Sequence, residues 1–258
     1  MYRQLLCAAA AAVLLTTPAA SAQESAPWTG RVFVTLDVPF QPLDNAFTEA
    51  VSVADAIAKT EKDSFTASYP ANRGVLVDAG VGIRLAGSFG VGVTGSYLSR
   101  SSSADFALSV ANPALANTPR VLTGSAASLA HTETAVHLQA LYAMRLGSKG
   151  RVMLSAGPTI VRINQDLIQG VQFNEVAGFS KITLGTVLTA PVTQTVLGFN
   201  VGADTTWPIA RHLGLGTTTR YSRATTTVDP GSATTGLTRS VELQAGGLHL
   251  GAGLRFLF

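Results

Sequence analysis

The closing stretch, Gly247 to Phe258, constrains the fold more than any other. Alternate residues Leu248, Leu250, Ala252, Leu254, Phe256 and Phe258 are all apolar, and between them lie Gly247, His249, Gly251, Gly253, Arg255 and Leu257. A period of two marks a strand with one oily face. The other face carries Gly, His and Arg, which suits a narrow barrel lumen better than a soluble core.

The same alternation recurs along the chain. Val32, Val34, Leu36, Val38 and Phe40 share a face opposite Arg31, Phe33, Thr35 and Asp37. Val75, Val77, Ala79, Val81, Ile83 and Leu85 oppose Leu76, Asp78, Gly80, Gly82 and Arg84. Phe89, Val91, Val93 and Tyr97 oppose Gly90, Gly92, Thr94 and Ser96, while Val136, Leu138, Tyr142 and Met144 oppose Glu133, His137, Gln139 and Arg145. Further strands are expected over Arg151 to Ile163, Thr193 to Trp207, His212 to Thr225 and Val241 to the end. Phase slips suggest bulges beside Pro158, near Ile160-Val161, and at Gly246-Gly247.

About eight strands result. Three short turns (Ala86 to Ser88, Gly147 to Gly150, Pro208 to Arg211) alternate with four longer connections. The segment 41–72 fits either a helix around Ala50, Val53, Ala54 and Ile57 or an extension of its hairpin. Leu98 to Ala130, Asn164 to Ala190 and Val228 to Thr238 are expected to be loops. The fold class expected is all-β: a closed antiparallel up-and-down transmembrane β-barrel, with long outer loops and short periplasmic turns.

Composition supports this reading. Charged residues make up 13% of the chain, about half the ~25% usual for soluble domains. No apolar run approaches the ~20 residues of a spanning helix. Arg3, the apolar run Leu5 to Leu15 and Ala20-Ser21-Ala22 form a secretory leader, so 1–22 is expected to be a signal peptide and 23–258 the barrel. Cys7, the single cysteine, falls within that leader, so no disulfide is expected. Net charge is +3 with no basic run, which argues against a nucleic-acid partner. Aromatics Trp28, Phe40, Phe89, Tyr97, Trp207, Tyr221, Phe256 and Phe258 cluster at strand ends like interfacial girdles, whereas Tyr142 and Phe199 fit that scheme less well.

Arg31, Asp37, Asp78, Arg84, Glu133, His137, Arg145, Asp204, Arg220 and Arg255 should face inward. Unpaired burial of charge is costly, so they are expected to form a salt-bridged network in the lumen, with a gated narrow pore as the functional alternative. His131 and His137 lie ~20 Å apart on one strand and cannot share a metal ion. Ser128, His131 and Glu133 supply the residue types of a lipid-acyl hydrolase. Gly90-x-Gly92-x-x-Gly95 spells a dinucleotide fingerprint but opens no helix. No catalytic, cofactor or metal site is expected.

The leader, the alternation from Gly74 to Tyr97 and the terminal Leu254-Arg255-Phe256-Leu257-Phe258 resemble the small outer-membrane β-barrel family. That family comprises porin-like relatives of the transmembrane domain of outer-membrane protein A. The resemblance implies residence in the outer membrane of a Gram-negative envelope, lipid as the surrounding partner, and a monomer. It also implies recognition of Leu254, Phe256 and Phe258 by the barrel-assembly machinery. The expected role is non-enzymatic: envelope structure, surface contact or passage of small solutes. The alternative is a lipid-modifying hydrolase or a barrel that handles a hydrophobic ligand.

Overall fold

The computed structural model describes residues 30–42, 46–54, 62–70, 73–115, 117–229 and 240–258. The leader and Trp28 lie outside them. Ten strands follow in order: β1 (Val32–Gln41), β2 (Phe47–Ala54), β3 (Lys62–Tyr69), β4 (Gly74–Ala86), β5 (Phe89–Val110), β6 (Arg120–Leu146), β7 (Gly150–Glu175), β8 (Ile182–Pro208), β9 (Leu213–Val228) and β10 (Val241–Leu257). They form one antiparallel sheet, β2-β3-β5-β4-β1-β10-β9-β8-β7-β6, and pairing of β5 with β6 closes it. The closed ring contains eight strands. β1 and β10 seal it, from Phe33↔Leu257 to Phe40↔Leu250.

The two additional strands extend the first hairpin. Gln41 pairs Gly74 where β1 meets β4, and Phe47 pairs Tyr69 where β2 meets β3. β3 pairs β5 from Ser64↔Ser109 to Ser68↔Asp105, beyond the point where β4 pairs Leu76 with Leu98. The segment 41–72, open between helix and hairpin on sequence alone, is therefore hairpin wherever it is described.

The apolar face points outward across a band matching the ~9–11 residues of a membrane crossing. Val75 and Val77 are each 60% exposed, Phe89 63% and Leu197 70%. Inside, Asp78 and Arg255 are each 1% exposed. Such a distribution would dissolve poorly in water and is stable in lipid, where the closed ring pairs the backbone groups internally. Phe89 packs against Tyr142 in a tilted pair with ring centres 5.1 Å apart, and Phe199 against Tyr221 in the same way at 6.0 Å. Tyr142 and Phe199 thus belong to the girdles: Tyr142 lies near the turn end of β6 beside Phe89, and Phe199 lies mid-strand because β8 continues past the membrane.

That continuation corrects the loop expectations. β5 runs to Val110 and β6 starts at Arg120, so most of Leu98 to Ala130 is strand, as is most of Asn164 to Ala190. Above Tyr97 the pattern inverts. Ser99, Ser101, Ser103 and Asp105 face out, while Leu98, Ala104 and Phe106 are buried inside. Ala104 and Phe106, together with Tyr69, Leu129, Leu167, Ile168, Val228, Val241 and Leu243, form an apolar core within the outer half. Tyr69 reaches across to this core and accepts a hydrogen bond from the Ile168 backbone N–H at 2.9 Å.

Neither predicted bulge exists. Pro158 pairs Phe199 in unbroken register, and Val161 and Ile163 stay on the inward face with Thr159. Likewise β10 holds one register against β9 from Val241↔Val228 to Phe256↔Leu213. Val241, Leu243 and Ala245 point inward like His249. The apparent slips arise because the inward face becomes apolar in the outer half. The register shifts found among the described residues lie elsewhere: at Leu85 beside the β4–β5 turn, at Ala127-Ser128, where Ser128 has φ 60°, and between Ile168 and Phe173.

Candidate functional site

The lumen collects the buried polar chemistry, in layers. Asp37 and Asp78 sit directly opposite each other across β1 and β4. Like charges in register repel, and each is answered by an arginine from the far side of the seam. Arg255 of β10 donates to Asp37 at 2.7 Å and to Asp204 of β8 at 3.4 Å. Arg220 of β9 crosses the lumen to Asp78 at 2.8 Å. Gly253 makes room for the first pair: a Cβ there would lie 2.6 Å from Asp37 Oδ1 and 1.9 Å from the Leu36 carbonyl oxygen.

Arg220 also donates to Ser96 Oγ at 3.1 Å, which leaves the Ser96 hydroxyl free to donate to His137 Nε2 at 3.0 Å. His137 Nδ1 lies 2.8 Å from Thr159 Oγ1. Asn200 donates to Thr159 Oγ1 at 2.9 Å and to the Gly157 carbonyl at 2.9 Å. Gln139 joins Asn200 at 3.3 Å and accepts from Thr94 at 3.0 Å. Pro158 has no N–H to donate to the ladder, and Asn200 also serves its carbonyl, at 3.1 Å.

A second box lies nearer the outer end. Gly246 has φ 85°, a conformation natural to glycine. Its N–H donates to Glu133 Oε2 at 2.9 Å, and its carbonyl accepts from Gln41 Nε2 at 3.0 Å. Gln41 Oε1 in turn faces His249 Nε2 at 3.1 Å. His131 Nε2 lies 2.8 Å from Glu133 Oε1, and its Nδ1 bonds Gln165 Oε1. Both nitrogens of His131 therefore face oxygen acceptors. Ser128 is exposed at its bulge while His131 is buried, so Ser128, His131 and Glu133 do not assemble as a triad.

Among the sequence-predicted residues, Asp37, Asp78, Glu133, His137, Asp204, Arg220 and Arg255 meet in these layers. Arg31, Arg84 and Arg145 do not. They share the inward phase but sit at strand ends, where Arg31 and Arg145 are exposed and Arg84 donates to the Gly87 carbonyl of its own turn. Arg151 escaped sequence reasoning, although it begins β7 on the inward phase. It is 5% exposed and stacks over the Phe33 ring at 5.6 Å. Below the ion pairs, Phe33, Leu141, Ala143, Met153 and Leu257 form an apolar floor. The cavity between that floor and the network measures about 20 Å³. No group of His, Cys, Asp and Glu fit to hold a metal ion occurs among the described residues.

A closed eight-stranded wall with an apolar belt outside and a polar, ion-paired interior defines a membrane barrel. Comparison with solved structures agrees. OprG of Pseudomonas aeruginosa, an outer membrane protein, is 9% identical over 89% of this chain and 98% of its own, with a TM-score of 0.50. The outer membrane protease OmpT of Escherichia coli matches 88% of this chain and 97% of its own at 9% identity and TM-score 0.49. Neisserial surface protein A matches 88% and 97% at 14% identity and TM-score 0.41. The likeness to OprG shows the fold alone: the closed antiparallel barrel seen in small bacterial outer-membrane proteins. No family model matches the sequence. No curated protein matches it either.

Proposed function

We propose that the protein is a non-enzymatic, monomeric barrel with a plugged lumen, serving envelope structure and surface contact through its projecting outer half. One observation carries this reading: among the described residues an apolar floor, ion-pair layers and an apolar outer core succeed one another along the lumen, and the cavity beside the ion pairs is about 20 Å³, room for about one water. A hydrolytic reading needs a free imidazole nitrogen beside a nucleophile, and both nitrogens of His131 are engaged away from Ser128. Its surroundings are lipid, and Leu254, Phe256 and Phe258 are the segment offered to the assembly machinery.

Planar-bilayer recording tests the plug. The wild-type protein is expected to insert without a steady single-channel conductance. A stable open level at low voltage would replace this reading with passage of small solutes.

A further inference from the structure

Where β3, β5 and β6 run side by side in the outer half, their register builds a small grid on the outward face. One rung is Ser68↔Asp105↔Ser125, and the next outward rung is Thr66↔Ala107↔Thr123. The rung between them, Ala67↔Phe106↔Gly124, points inward to the core. Neighbours within a rung stand ~4.8 Å apart, and successive outward rungs ~6.8 Å. The six outward residues line one open groove of about 500 Å³, within the ~300–1,000 Å³ of small-molecule sites. Ala107 is the dip in it, with a threonine on either side. Asp105 is its one charge, with a serine on either side. Ser68 Oγ also lies 3.4 Å from Thr48 Oγ1. No ion pair or hydrogen bond engages the Asp105 side chain among the described residues.

The chemistry of the grid narrows what it can hold. Its four hydroxyls each donate and accept, and the ionised carboxylate accepts only. A polyhydroxylated partner meets both kinds of group at once. One carboxylate is too few for a calcium ion, which takes 6–8 oxygens. An anionic partner would be repelled by Asp105, and the grid has no Lys or Arg to offset that. A lipid headgroup is excluded by height. Asp105 lies eight residues beyond Tyr97 on β5, roughly 20 Å above the girdle at the ~45° tilt of a spanning strand. We infer that this groove is a saccharide-binding site for an uncharged sugar chain in the aqueous layer above the membrane. Asp105 accepts from sugar hydroxyls, the flanking serines and threonines exchange hydrogen bonds with them, and Ala107 gives the ring room to approach. The inference rests on the surface-contact reading of the outer half and names the chemistry of what is contacted.

The test uses the full barrel in lauryldimethylamine oxide, a detergent without a sugar headgroup, and saturation-transfer NMR titrations. The probes are the neutral trisaccharides of glucose, mannose, galactose and N-acetylglucosamine, with trigalacturonic acid as the anionic counterpart. At least one neutral probe is expected to bind with a Kd of about 1 mM, the affinity of a shallow, solvent-washed site. Trigalacturonic acid should bind at least about tenfold more weakly. Asp105→Ala removes the charged acceptor and should weaken binding about tenfold or more. Ala107→Leu fills the dip and should do the same with every hydrogen-bonding group still present. Thr225→Ala, an exposed hydroxyl on β9 away from the grid, should change nothing. All three positions face outward, so the variants should fold, which their heat-induced gel shift checks. No binding by any neutral probe, an equal affinity for the anionic one, or an affinity unmoved by both Asp105→Ala and Ala107→Leu overturns the site. None of these outcomes alters the conductance expected in planar bilayers, so the two readings fail separately.

Discussion

Asp37 and Asp78 would repel each other across the β1–β4 ladder if left alone, so the arginines that answer them govern stability. Both partners of the Arg255–Asp37 pair are almost fully buried, with side chains 1% and 3% exposed. Removing one partner of such a pair strands the other charge, at a cost of about 3–5 kcal/mol. Arg255→Met should therefore destabilise the barrel by about that amount in denaturant titrations followed by tryptophan fluorescence. The double variant Arg255→Met/Asp37→Leu should recover much of the loss, since neither charge remains to be solvated. Additive losses would show that the pair does not act as a unit. The charges of this pair were legible in the sequence because their phase on the strand is. Their partners were not: Arg220 meets Asp78 across the lumen, a relation that follows from how the ring closes and from nothing local.

The strands make two environments from one alternation. On β5 the outward residues change from Val91, Val93 and Tyr97 to Ser99, Ser101 and Ser103, and the inward ones change the opposite way. Lipid lies outside the first set and water outside the second. Sequence reading recovered the membrane half, where apolar-out alternation is continuous. It took the outer halves of β5 to β8 for loops because polar-out residues there are Ser, Thr and Asn, which also mark turns. The same inversion produced the false bulges at Pro158 and Gly246. A paired substitution separates the two environments. Val93→Arg, at the middle of the lipid-facing band, should cost about 2–4 kcal/mol of stability in liposomes. Ser101→Arg, on the same face of the same strand, should stay within about 0.5 kcal/mol of wild type. Equal costs would mean that the lipid boundary does not fall near Tyr97.

The whole molecule is a barrel with two interiors: polar where lipid lies outside, apolar where water does. The membrane half is held by a hydrogen-bonded ring, the girdles and the ion pairs. The outer half buries an ordinary apolar core of Tyr69, Phe106, Leu129, Leu167, Ile168 and Leu243. Different forces should respond to different perturbations, so the halves should open separately as local units. Phe106 is 3% exposed and stacks near Phe65 with ring centres 6.3 Å apart. Phe106→Ala removes an aromatic from this core and should cost the outer half about 3–5 kcal/mol. Limited proteolysis of the variant in liposomes should then cut within residues 98–133 and 161–196, sites the wild type protects. The heat-modifiable gel shift, which reports the lipid-embedded ring, should persist at close to the wild-type temperature. If the gel shift collapses together with protease resistance, the two halves form one cooperative unit, and the outer core helps hold the membrane ring closed.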